Sequence, residues 1–504
     1  MFLMAHTLMI QGTCSDAGKS ILVAALCRIY TRRGFKVAPF KSQNMALNSF
    51  VTPEGAEIGR AQAVQAQAAC RPPHIDMNPV LLKPEGNSRS QVVLMGRPWK
   101  TLPAADYYQA KKDLWQEVTG AMDRLTADND LVIAEGAGSP AEINLKEHEI
   151  VNMAVARYLK APVLLTGDID RGGVFASLYG TLVLVEEDRE QIKGFIINKF
   201  RGDVSLLQPG IEMLTERCGG VPTLGVVPYI PDIYLAQEDS VFIEKNRDMG
   251  EEEGLELAVI KLPHMSNYDD LDPFLKEKGI RVRFVSSTRE LKRPAAIILP
   301  GTKTTLQDLD WLKTTGLAGR IRALAEQGVP VAGICGGYQM MGRTIRDTDG
   351  VEGGGEDEGL GLLPVETDFS DRKTTVLTTG SLAADRGFFR NLTESGIRGY
   401  EIHMGESRLT AGGRPLYRRE DGSSDGAVSE NGRHWGSYMH GVFDNMMLRR
   451  AFLMSLGWEP TEPGRTEEEL REQEFERIAD AVEEALDMEA LDRLIGLARP
   501  EEKS

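Results

Sequence analysis

Cysteine is scarce in this chain: the five (14, 27, 70, 218 and 335) form no Cys-x-x-Cys and show no paired spacing. That excludes a thiolate zinc site and a disulfide framework, and it points to a reducing compartment, the cytoplasm. Histidine is nearly as scarce, with seven in 504 residues, so each one in a glycine-bounded turn stands out. There is no run of eighteen apolar residues, and hence no segment that reads as a membrane span. Positive charge is in deficit, 58 Lys and Arg against 75 Asp and Glu, for a net charge of −17. A nucleic-acid or anionic-membrane partner is therefore not expected, and an anionic small molecule must be met by a local basic pocket. Internal repeats and low-complexity tracts are also lacking.

What is present is a rhythm of short apolar runs separated by helical stretches. Runs at 8–10, 36–40, 130–134, 162–166, 194–198 and 223–227 predict a parallel sheet covered by helices on both faces. Residues 1–11 are apolar but lead straight into a glycine-rich loop, so they read as a first strand and not as a signal peptide. The polar, glycine-bearing stretch 244–254 reads as a linker. A second α/β pattern follows, with strands at 255–262, 295–299, 330–334 and 435–438. Thr466-Glu-Glu-Glu469 is a capping box, and Leu470, Phe475, Ile478, Val482 and Leu486 then recur at near-helical spacing. The expected domains are 1–243, 255–460, and a helical extension over 461–504 packed on the second domain.

The first chemistry-bearing segment is Gly12-Thr-Cys-Ser-Asp-Ala-Gly-Lys-Ser20, between a strand and the helical residues 21–30. In that context Gly12, Thr13 and Gly18 shape a loop whose backbone N–H groups cradle ATP phosphates; Lys19 reaches the terminal oxygens and the Ser20 hydroxyl binds Mg2+. Five residues, not the usual four, separate Gly12 from Gly18. Glu135, Asp168 and Asp170 end or follow buried strands, where ligands of open parallel sheets gather; Glu135 and Asp168 are candidate metal ligands, although acids there also serve as helix caps. Lys41 ends another strand and faces the same crevice. The polar loop after it, Ser42-Gln-Asn-Met-Ala-Leu-Asn-Ser49, offers Gln43 and Asn44 to a polar substrate.

The second segment is Val329-Pro-Val-Ala-Gly-Ile-Cys-Gly-Gly-Tyr-Gln339, an apolar strand that breaks into glycine beside Cys335. A strand-to-helix elbow would hold the sulfur outward, favour its thiolate and free the Gly336 amide for an oxyanion. A buried structural cysteine is the alternative, and His440 in Trp435-Gly-Ser-Tyr-Met-His-Gly-Val-Phe443 weighs against it as an available base. A phosphate loop and a cysteine–histidine pair in one chain point to glutamine-dependent amidation. Ammonia is released at the thiol, and ATP activates a carboxylate that is otherwise a poor electrophile.

The phosphate loop is joined by Pro39-Phe-Lys-Ser-Gln-Asn-Met45, Asn78-Pro-Val-Leu-Leu-Lys-Pro84, Glu135-Gly-Ala-Gly138, Asp168-Ile-Asp-Arg-Gly-Gly173, Pro300-Gly-Thr-Lys303, Cys335-Gly-Gly-Tyr338, Gly399-Tyr-Glu-Ile-His-Met-Gly405 and Met439-His-Gly-Val-Phe443. In this order, from residue 12 to residue 443, they resemble the cobyric acid synthases. The resemblance implies an N-terminal domain like dethiobiotin synthetase and a flavodoxin-like, class I glutamine amidotransferase domain after it. It also implies the reaction, ATP- and glutamine-dependent amidation of the b, d, e and g carboxylates of adenosylcobyrinic acid a,c-diamide. It makes Cys335 the nucleophile and His440 its base, puts Gly301 with Gly336 at the oxyanion, and lines the glutamine site with Tyr400, Glu401 and His403. The glutamate that class I amidotransferases place two residues after the histidine is Val442 here, a departure that this branch tolerates. Asp444 or a backbone carbonyl is left to orient the imidazole. A cobyrinate a,c-diamide synthase, a CTP synthase, or a partner-stimulated switch ATPase carrying a silent amidotransferase domain are the competing readings.

Overall fold

Six short apolar strands form the centre of the first compact unit, in the order Thr223–Pro228, Ile192–Phe200, Val163–Asp168, His6–Gly12, Leu131–Glu135, Val37–Phe40, all parallel. Leu8, Met9, Ile10, Val132, Ile133 and Leu165 are fully buried, as strands covered on both faces require. The chain leaves His6–Gly12 toward one edge and later crosses to the other, so the crevice for a ligand opens at the carboxyl end of that strand. The computed structural model describes residues 5–85, 89–233, 235, 248–392 and 395–497.

A smaller sheet corrects the expectation of a polar loop after Lys41. Gln43–Met45 is a strand, paired in parallel with Val80–Pro84, and the sheet continues antiparallel through Arg89–Leu94 and Arg97–Pro103. Its composition hid it: Asn44 is buried as a polar residue and Met45 lies exposed, the reverse of the usual alternation.

This first unit comprises the chain up to Ala46, Ile58–Leu235 and the residues from Arg471; the second comprises Leu47–Glu57 and 236–470. The C-terminal extension divides: 461–470 belongs to the second unit, as expected, with Glu467 pairing with Lys276 and Arg449, whereas the helices from Arg471 do not. From Arg471 they pack on the ATP unit, because the acidic face of the helix Glu467–Ala485 meets an arginine-rich end of the helix Lys19–Arg32. Arg28 pairs with Glu472 and Glu476, Arg32 with Glu476, Asp480 and Glu483, and Arg33 with Glu483 and Asp492. Phe475, Ile478 and Val482 are fully buried, and Asp487 N–H donates to Leu224 O. The capping box forms as expected, Thr466 N–H donating to Glu469 and Glu469 N–H to Thr466 Oγ1.

The second unit is built on seven strands, five of them parallel: Ile280–Val285, Leu255–Ile260, Ala296–Leu299, Val331–Ile334 and His434–Ser437. Antiparallel edges close it, Ala427–Val428 on one side and Asp248–Gly250 on the other. Residues 248–250 lie within the expected linker, whose first part, 244–247, falls outside the described residues. Gly250 adopts a positive φ, and a Cβ there would come 2.2 Å from Ile280 O, so only glycine lets this edge strand close. A separate sheet is dominated by the long antiparallel pair Val365–Leu382 and Ser395–Leu409.

Candidate active site

In the ATP unit, Gly18 at φ 94 turns the chain into the helix Lys19–Arg32. A Cβ on Gly18 would strike the Asn198 amide at 2.0 Å, and that amide donates to Ala17 O at 2.9 Å, so strand Ile192–Phe200 braces the loop. Within the longer loop Asp16 takes a positive φ and is held by Arg171 and by Lys199 Nζ on its carbonyl. Lys19 Nζ folds back onto Cys14 O at 2.9 Å and Gly138 O at 3.2 Å.

Ser20 and Glu135, both candidate metal ligands, meet: Ser20 Oγ donates to Glu135 Oε1 at 2.8 Å. Lys41 Nζ reaches the same oxygen at 3.0 Å, and Gln65 Nε2 donates to Oε2. Burial raises the Glu135 carboxyl, but the charge of Lys41, the Gln65 amide and the charge of Lys19 outweigh it and hold the group below its ordinary range. Asp168 is engaged otherwise, accepting from Lys199 Nζ at 2.9 Å and Asp170 N–H at 2.9 Å, with Arg171 at 3.4 Å. Asp170 pairs with Arg201. Gln43 accepts from the Tyr107 hydroxyl, while buried Asn44 donates to Gln62 Oε1 at 3.0 Å, an amide pair that fixes its strand.

In the other unit Cys335 stands at φ 51, ψ −111, between the strand Val331–Ile334 and the short helix Gly336–Met340. This is the strained elbow expected of a nucleophile. It is enforced by close packing: a Cβ on Gly337 would lie 2.0 Å from Leu299 O. The loop Pro300–Lys303 comes against it, since a Cβ on Gly336 would meet Thr302 Cγ2 at 2.6 Å and one on Gly301 the His440 ring at 3.0 Å. Asp308, fully buried, sets that loop by accepting from Thr302 Oγ1 and from His264 N–H while its other oxygen meets His264 Nδ1 at 2.8 Å.

Asp270, not Asp444, orients the imidazole: its Oδ2 lies 2.7 Å from His440 Nδ1 and its Oδ1 accepts Gly441 N–H at 2.7 Å. A carboxylate only accepts here, so Nδ1 carries the proton and Nε2 is turned to the sulfur. Burial depresses the His440 pKa, but the charge and hydrogen bond of Asp270 and the interaction with Cys335 prevail and push it up to about 10. His440 is therefore held as imidazolium through neutral pH. Asp270 was missed because it lies 170 residues upstream of His440. The available signal was Asp269-Asp270, a doublet beyond the carboxyl end of a parallel strand.

Tyr400 stacks on the His440 ring at 5.3 Å and 22°, and the two residues exchange main-chain hydrogen bonds. Glu401 points elsewhere: both oxygens bind Arg419 at 2.8 Å, and His403 Nε2 lies 3.2 Å from Oε2. Burial would raise the Glu401 carboxyl, yet the hydrogen bond to His403 and the Arg419 guanidinium hold it below its usual range. His403 stacks on Tyr438 at 3.6 Å, and Tyr438 OH accepts from Gln339 Nε2 at 3.1 Å. Gln339, one turn after Cys335 and also bound to Thr305 Oγ1 and Met404 O, is a second residue that sequence reasoning passed over.

A CobB/CobQ-like glutamine amidotransferase domain matches residues 256–447, and a CobQ/CobB/MinD/ParA nucleotide binding domain matches residues 8–241. The cobyric acid synthase of Desulforudis audaxviator is 50% identical over 503 residues, covering 98% of this chain and 100% of that protein. The chain belongs to the cobyric acid synthase family. Cobyric acid synthases of Dehalococcoides mccartyi strain CBDB1 (48% identical, 97% of this chain and 98% of that one) and Sorangium cellulosum (49%, 98% and 99%) match it along its length as well. Within the cobyric acid synthase family, a nucleotide-binding unit and an amidotransferase unit on one chain make this a glutamine-dependent ligase. A silent binding module and a partner-driven switch are thereby set aside. No helix among the described residues is long and apolar enough to cross a membrane.

Proposed function

We propose that the protein amidates the b, d, e and g carboxylates of adenosylcobyrinic acid a,c-diamide, using ammonia that Cys335 and His440 release from glutamine. The observation that carries this reading is the Cys335–His440–Asp270 constellation on the same chain as the Ser20–Glu135–Lys41 cluster. The Cys335 thiolate attacks the side-chain carbonyl carbon of glutamine, and the oxyanion is met by Gly336 N–H and the Pro300–Lys303 loop. His440 Nε2 protonates the leaving nitrogen, which departs as ammonia. It then takes a proton from the water that cleaves the thioester, releasing glutamate and restoring the thiolate.

In the ATP unit, Lys19 and the loop amides hold the phosphates, and Lys41, anchored on Glu135, faces the phosphoryl group passed to the acceptor carboxylate. Ammonia displaces phosphate from the resulting acyl phosphate to give the amide. A hydroxyl and a carboxylate in mutual contact are the hard oxygen donors Mg2+ requires, so Ser20 and Glu135 would hold the ion, which neutralises phosphate charge. Asp168, already engaged by two cations, serves to fix the loop through Lys199 and Arg171.

With ATP, Mg2+, glutamine and the a,c-diamide, product mass is expected to change in four successive carboxylate-to-amide steps; amidation of the a and c positions of cobyrinic acid instead would favour the diamide-synthase reading. Lys19→Ala should slow synthesis by about 10²- to 10³-fold with glutamine and ammonium alike, the usual cost of removing one electrostatic stabiliser. Wild-type ammonia-dependent rates in that variant would refute activation at this loop.

A further inference from the structure

Residues Leu47–Glu57 belong to the amidotransferase unit, whereas the chain before them, to Ala46, and after them, from Ile58, belongs to the ATP unit. The excursion is a tight turn, closed by Ala56 O accepting Thr52 N–H at 2.8 Å and by Ser49 Oγ donating to Glu57 at 2.8 Å. Lys373 pairs with Glu57 and fixes it within its unit.

Its tip rests on the neighbours of both reacting side chains. Phe50 meets the Tyr400 ring edge-on at 4.8 Å, and buried Val51 packs against Tyr400 and Ile402. Asn267 Nδ2 donates both to Ser49 O and to the Tyr400 hydroxyl, each at 2.8 Å, tying the turn to that ring. Tyr400 in turn stacks on His440, and the Ile402 carbonyl is the acceptor facing Cys335 Sγ at 3.7 Å. One side chain thus separates the turn from the base, and one from the nucleophile.

The flanking segments lead to a single carboxylate. Six residues before Leu47 is Lys41, and eight residues after Glu57 is Gln65, and both donate to Glu135. Gln65 also reaches Ser20 O at 3.4 Å. A carboxylate that takes up a cation and phosphate neighbours has fewer lone pairs for Lys41 and Gln65, so filling the ATP site alters the hold on both ends of the excursion.

We propose that the 47–57 turn couples glutamine hydrolysis to occupancy of the ATP site, with Phe50 and Val51 acting as positioning residues for His440 and Cys335 through Tyr400 and Ile402. The proposal rests on the reading of Cys335 and His440 as the glutaminase pair. Hydrolysis without an activated acceptor would only waste glutamine, and a coupling of ordinary size shifts a rate or an affinity by roughly 5- to 150-fold.

The test measures glutamate release by the full chain, with and without ATP, Mg2+ and the a,c-diamide, beside ammonia-dependent amidation. The wild type should hydrolyse glutamine about tenfold faster or more with the synthetase substrates present. Phe50→Ala should bring that ratio close to one with ammonia-dependent amidation unchanged, and Phe50→Leu should restore part of it. Val51→Ala, a smaller change, should lower the ratio in the same direction. Equal wild-type hydrolysis in both conditions, an undiminished ratio in both alanine variants, or loss of ammonia-dependent amidation along with the ratio would each overturn the coupling. Failure of the functional reading is distinct: the wild type would then release no glutamate, or make no amide from ammonia.

Discussion

Cys335→Ala is expected to lower glutamine-dependent amidation by roughly 10⁴-fold or more, as loss of a covalent nucleophile does, while ammonium salts still drive amidation at the wild-type rate. The expectation follows from the confinement of the thiol to its elbow. Its neighbours are Ile402 O, the Ser437 carbonyl that accepts its amide, and the glycine loop, all in the amidotransferase unit. Nothing in the Ser20–Glu135–Lys41 cluster depends on the sulfur. Parallel assays with the two nitrogen sources, with thermal unfolding as a control, check the split. Loss of both activities in a folded variant would mean that the thiol also serves acceptor activation.

The second large effect belongs to Asp270. Asp270→Asn keeps the size of the side chain but turns an N–H or a neutral oxygen toward Nδ1, and a similar loss of the proper tautomer in a serine protease costs about 10⁴ in turnover. A fall of that order in glutamine-dependent activity, with ammonia-dependent activity kept, is expected here. The pH profile supplies the decisive reading. With His440 pushed up to about 10, the alkaline limb of glutaminase kcat/KM falls near that pH in the wild type. In Asp270→Asn it moves down toward the ordinary histidine value of 6.5. A residue that merely supported the fold would leave the limb where it was. The sign for stability agrees: a raised pKa in the folded state stabilises fully below about pH 6.5, and the benefit fades as pH climbs through about 10. The variant should lose stability mainly in the lower range, which denaturant unfolding at pH 6 and pH 10 distinguishes.

Both sheets were legible because apolar runs of four to six residues, punctuated by glycine and acids, have few other uses. The phosphate loop and Cys335 were legible because each is local, a turn whose chemistry and geometry sit in a few consecutive residues. Asp270, Asp308 and Gln339 were not. Asp270 and Gln339 act on residues far away in sequence, and Asp308, six residues after Thr302, looks like ordinary helix-start chemistry until the fold brings His264 to it. The partner of Glu401 was hidden too: its place in a motif beside Tyr400 pointed to glutamine, and only the fold shows both of its oxygens held by Arg419, 18 residues on. Gln43–Met45 was hidden for a third reason: a three-residue strand held by backbone pairing and polar side-chain contacts leaves no apolar pattern to read.

The acidic helix clasped onto Arg28, Arg32 and Arg33 bears on the order in which the protein is made. Ribosomes deliver residues 28–33 early and residues 472–492 more than four hundred residues later, and the amidotransferase unit, ending at Leu470, has all its sequence first. The ATP unit, which holds residues on both sides of the amidotransferase unit in sequence, is thus completed after it. Until then Arg28, Arg32 and Arg33 lack the carboxylates of the C-terminal helices, and a chain interrupted before Arg471 has the whole sequence of the amidotransferase unit but not of the ATP unit.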